Sequence, residues 1–106
     1  MRIREMKYSD YGLDDKALHH IFEFCRNCQD EKDDALIRKA CLDANSVIQQ
    51  ELYCSLRYGK SWERIVAGRW FIPYVKKDFY AYRRKAISVL DKLIKERYTC
   101  LDALMP

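Results

Sequence analysis

Apolar residues recur every three or four positions through most of the chain, and that spacing predicts helices. Leu18, Ile21, Phe22 and Cys25 make one face of a first helix opening at Leu13-Asp14-Asp15, where acidic residues suit a helix start. A second helix is expected over residues 30–42, acidic in its first turns and carrying Leu36, Ile37, Ala40 and Cys41 as its stripe. A third is expected over residues 45–57. Asn45 or Ser46 caps it, Val47, Ile48, Leu52 and Leu56 face inward, and Gly59 is its left-handed stop. Ser61 reads as the N-cap of a short fourth helix with Trp62, Ile65 and Val66 inward, ended by Gly68. An aromatic connection, residues 69–74, leads to a fifth helix that starts between Val75 and Asp78 and runs to about Arg97. Residues 1–12 show no period and read as an extended lead-in with a turn. The pattern predicts an all-α fold: one small bundle of five helices over residues 1–106, its C-terminal part a helix-turn-helix.

The fifth helix is the most informative. Stepping about 100 degrees per residue places Phe79, Tyr82, Ala86, Leu90, Leu93 and Arg97 on one side, widened by Ile87, Val89 and Ile94. The opposite arc holds Lys77, Tyr80, Ala81, Arg84, Lys85, Ser88, Lys92 and Lys95. One face is expected to complete a core. The other is expected to meet an anion-rich surface, with small Ala81 and Ser88 permitting close approach.

Charge sharpens this picture. Residues 1–56 carry 8 Lys/Arg and 11 Asp/Glu, a net of −3; residues 57–97 carry 12 Lys/Arg and 4 Asp/Glu, a net of +8. Residues 13–57 therefore read as acidic N-terminal helices and residues 58–97 as a basic helix-turn-helix region, the electrostatic pattern of a nucleic-acid binder. The expected partner is double-stranded DNA, whose major groove admits a helix. Arg84 is placed to read guanine, Lys77, Tyr80, Lys85 and the close-packing Ala81 and Ser88 to meet bases or phosphates, and Lys60, Arg64, Arg69 and Lys76 to track the backbone.

Other classes are disfavoured. No run of about 18 apolar residues predicts a membrane span, and the basic start lacks the apolar stretch of a secretion signal, so a cytoplasmic protein is expected. Five cysteines then read as reduced thiols; Cys25 and Cys28 have CxxC spacing, but no second such pair completes a metal site, so no metal or cofactor is expected. Cys25 reads as a core residue and Cys28 as lying near a helix end. An enzyme is not expected. His19 and His20 diverge on a helix, the chain has only three glycines and no phosphate loop, and Glu63 and Asp78 either face each other across the turn or, the favoured reading, one of them caps a helix or pairs with Arg64 or Arg83.

Residues 58–93, YGKSWERIVAGRWFIPYVKKDFYAYRRKAISVLDKL, resemble phage and prophage transcription regulators of the RinA/ArpU type, which are similar to DNA-binding region 4 of sigma-70 factors. The Gly-x-Ser-aromatic-Glu opening and the Phe-Tyr-x-x-Arg-Arg core carry the resemblance. YGLDDKALHHIFEFCR and IQQELYCSLRYG also resemble N-terminal helices of small prophage proteins. The resemblance implies a regulator of phage late or packaging genes, with Lys77, Tyr80, Ala81 and Arg84 at base-reading positions. The connection over residues 69–74 is longer than that family's turn. The alternative is a non-catalytic interaction module of a phage or prophage, touching RNA polymerase or a packaging protein through acidic residues 30–34 and an apolar tail. That tail, with Leu101, Leu104 and Met105, can pair in a homodimer or cover the chain's own core.

Overall fold

The computed structural model describes residues 3–68 and 72–104, with side chains to residue 98. The fold is all-helical: α1 Asp15–Arg26, α2 Glu31–Ala44, α3 Gln49–Tyr58, α4 Trp62–Ala67 and α5 Lys76–Leu104. Two 3-10 turns, Ile3–Glu5 and Tyr8–Tyr11, precede them where the sequence suggested an extended lead-in. The 29 residues of α5 span about 43 Å at the usual rise, so this helix runs nearly the full 49 Å length of the molecule. It outlasts the expected end near Arg97. The side chains of Leu101, Leu104 and Met105, assigned a docking or dimer role, lie outside the described residues.

Local chemistry sets most boundaries. The Asp14 carboxylate accepts the Ala17 N–H at 2.8 Å and starts α1; Asp30 accepts the Lys32 N–H at 2.7 Å and starts α2. Ser61 accepts the Arg64 N–H at 3.3 Å and starts α4. Asn45 behaves differently from its expected capping role. It closes α2 in an extended conformation, and its side chain accepts the Val47 N–H at 2.9 Å. That local turn delays α3 to Gln49 and turns Val47 outward, 64% exposed, while Ile48 stays buried.

Gly59 ends α3 at φ +71, and the Arg26 guanidinium packs where a side chain would otherwise begin. Arg26 Nε donates to the Leu56 carbonyl at 3.3 Å, and Arg57 donates to the Arg26 and Cys28 carbonyls at 3.1 and 2.7 Å. Each arginine thus satisfies carbonyls at the end of the other's helix, where cations are favoured. Gly12 has the same backbone sign at φ +76 but open space around it. Gly59→Ala is therefore expected to cost about 1–2 kcal/mol of backbone strain, as Gly12→Ala does, plus the displacement of Arg26. Urea unfolding of both variants checks this. Equal losses would show that the Arg26 contact contributes nothing.

The core runs along α5, which packs on α1, α2 and α3, with α2 its most extensive partner. Phe79, Ile87 and Leu90 meet Ile21, Ile37, Ile48, Leu52 and Leu56, all fully buried. Cys25 and Cys41 sit among them, and burial pushes both thiols up to about 12, so they act as small apolar groups. Cys28 is buried just beyond α1, its Sγ 3.6 Å from the Asp30 carbonyl. On the described residues, no three His, Cys, Asp or Glu side chains are grouped to hold a metal, and no helix is long and apolar enough to cross a membrane.

The acidic start of α2 is engaged within the molecule. Arg97 reaches Asp33 at 2.5 Å and Asp30 at 3.5 Å, and the Tyr98 hydroxyl lies 3.2 Å from both Asp33 oxygens. Asp34 accepts from the Tyr53 hydroxyl at 2.5 Å and from Arg38 Nε at 2.8 Å. Burial works to raise the Asp34 carboxyl, but those hydrogen bonds outweigh it and hold the group below its ordinary value.

Candidate nucleic-acid interface

The α4–α5 corner is assembled by two contacts. The Tyr80 hydroxyl accepts the Trp62 backbone N–H at 3.1 Å, and Lys76 forms an ion pair with Glu63. Both tie the start of α4 to the first turns of α5. Arg69, assigned to the phosphate backbone, lies outside the described residues. Val66, expected inward with Trp62 and Ile65, is 39% exposed, because only Ile65 of this six-residue helix is fully covered.

The residues assigned to DNA do not form one open ridge on α5. Ala81 is 0% exposed and Ser88 7%, although both stand opposite Phe79 on the helix. Contrary to the spacing, which left this side open, α5 is packed on two opposing sides over this stretch. Small side chains let other parts of the chain approach closely, which removes Ala81 and Ser88 from the accessible surface. Tyr80 is half-buried, and its hydroxyl is spent on Trp62. Arg84 is half-buried and donates from Nε to the Met6 carbonyl at 2.9 Å. Lys76 is neutralised by Glu63; their hydrogen bond raises the lysine and lowers the carboxyl from their ordinary values.

Besides the paired Lys76, three of the assigned cations remain exposed around α4 and the start of α5. Lys60 follows the Gly59 stop, Arg64 projects from α4, and Lys77 sits in the first turn of α5; all three are exposed. Among the described residues none meets a carboxylate within ion-pair distance. Lys60 and Arg64 line a shallow cleft with Glu51, Cys54, Ile65 and Gly68. Lys85 is half-buried, one turn beyond Ala81.

Neither Glu63 nor Asp78 takes the partner its sequence position suggested. Glu63 binds Lys76, and Asp78 binds Arg4, 74 residues away. Arg83 is directed into the protein. Its Nε donates to the buried Ser55 hydroxyl at 2.8 Å, and its guanidinium lies 5.2 Å from the Phe22 ring centre. Burial pulls this guanidinium below its ordinary value. A signal for this was present: Arg83 falls about 40 degrees from Phe79 on the wheel, inside the apolar stripe.

No protein-family model, no curated protein and no solved structure matches the chain.

Proposed function

We propose that the protein is a DNA-binding regulator that holds the phosphate backbone of a duplex with the α4–α5 corner. The observation that carries this reading is that Lys60, Arg64 and Lys77, beside α4 and the start of α5, are exposed and, among the described residues, form no ion pair. Such cations bind phosphate by charge and counterion release, independently of sequence. The transcriptional part of the proposal is supported by the resemblance of residues 58–93 to phage regulators. The interaction-module reading has weaker support, because Asp30, Asp33 and Asp34 already bind Arg97, Tyr98, Tyr53 and Arg38.

Fluorescence anisotropy on short random-sequence duplexes across a salt series tests the proposal. Three phosphate contacts give a log–log slope of about −2.7, and Lys60→Ala or Arg64→Ala each reduces its magnitude by about 0.9 while weakening all sequences alike. Absence of binding to any duplex at low salt would overturn the proposal and favour an interaction module.

A further inference from the structure

The burial of Ala81 has an identifiable local cause. Asp78, Ala81 and Arg84 follow one another at three-residue spacing and share a face of α5. The N-terminal segment grips the first through Arg4 and the third through the Met6 carbonyl. Ala81, between those two contacts, is completely covered. The covering segment lies closely along α5 but buries little of its own surface. Neither 3-10 turn contains a fully buried residue, and Arg4 is itself 54% exposed. An open hollow of about 570 Å³ lies where it meets α5, lined by Arg4, Glu5, Met6, Lys7, Tyr8 and Arg84. Tyr8 and Tyr11, further along, pack partly against the core and anchor the segment's far end.

We infer that residues 3–7 form a detachable strap that masks a base-reading face on α5. The inference rests on the DNA-binding reading proposed above. With the strap seated, only the phosphate-binding corner is open, and binding is tolerant of sequence. With it released, the face presents three groups suited to base edges. Arg84 can pair with guanine, Asp78 can accept from the cytosine amino group, and the Ala81 methyl can contact thymine. A protein whose competent state is only partly populated binds with an affinity reduced by that fraction, so loosening the strap raises affinity.

The sign of one substitution separates this from simple electrostatics. Arg4→Glu breaks the Asp78 contact but removes positive charge, so charge alone predicts weaker DNA binding. The strap predicts tighter binding, by about fivefold or more for a coupling of ordinary size. Trypsin cleavage after Lys7 reports strap release without reference to DNA, and circular dichroism confirms that the variant is folded. Faster cleavage, with tighter binding to the duplexes that selection from a randomised pool yields, is the expected result. Unchanged cleavage overturns the strap, as does faster cleavage with equal or weaker binding when the wild type binds DNA. If neither protein binds any duplex, the DNA-binding proposal fails and the masking role with it.

Discussion

Phe79→Ala is expected to cost about 3–5 kcal/mol, the usual penalty for deleting a fully buried aromatic side chain from a core. Phe79 is 0% exposed and stands in the first turn of α5, with its ring centre 5.4 Å from that of Tyr80 and nearly perpendicular to it. Its loss would empty the core beside the contact that binds α4 to α5. A domain of this size has about 5–15 kcal/mol of total stability, so the variant retains little reserve. Each kcal/mol corresponds to about 4–8 °C for a domain of roughly this length, so the melting temperature is expected to fall by about 15–30 °C. Differential scanning calorimetry measures it. A fall of only a few degrees would contradict the placement of Phe79 at the centre of the core.

A second large effect is expected at Ser55, with an asymmetry at its partner. Arg83 is drawn into the protein, and among the described residues no carboxylate lies within ion-pair distance to offset its desolvation. The Ser55 hydroxyl, 1% exposed, receives the Nε proton at 2.8 Å. Ser55→Ala leaves a desolvated cation without that acceptor and is expected to cost about 1.5–3 kcal/mol. Arg83→Met keeps an unbranched stem over Phe22 and removes the charge. The Ser55 hydroxyl can then turn back to a carbonyl of its own helix. That variant is expected to be neutral or more stable, as when well-packed apolar groups replace buried charges. Urea denaturation of the two variants decides. A larger loss for Arg83→Met than for Ser55→Ala would mean that the cation contributes stability the account does not assign to it.

The parts of the fold that depend on neighbouring residues were legible in the sequence. Asp14, Asp30 and Ser61 cap their helices through hydrogen bonds spanning two or three residues, and Gly59 stops α3 because its backbone turns left-handed. The α5 stripe from Phe79 to Leu90 was legible because periodicity marks the side facing the main core. The covered opposite side was not. Ala81 and Ser88 carry no hydrophobic signal strong enough to declare a second packing surface, and the segment that grips their side of α5 lies more than 70 residues earlier. The same distance hid the Arg4–Asp78 pair. Glu63 and Lys76 sit on either side of the aromatic connection, so their pairing depended on how that connection folds. Asn45 illustrates a local ambiguity: one side chain can cap a helix or close a turn, and here it closes the turn.

The central functional claim is that phosphate binding resides at the α4–α5 corner and not along the whole basic helix. The most direct measurement compares two sets of substitutions on random-sequence duplexes over a salt series. One replaces Lys60, Arg64 and Lys77 with alanine. The other replaces the exposed Lys92 and Lys95, on the later turns of α5. The corner variant is predicted to flatten the salt dependence by about 2.7 in log–log slope, while the Lys92/Lys95 variant keeps the wild-type slope. Equal flattening by both sets, or a slope changed only by Lys92 and Lys95, would contradict the account.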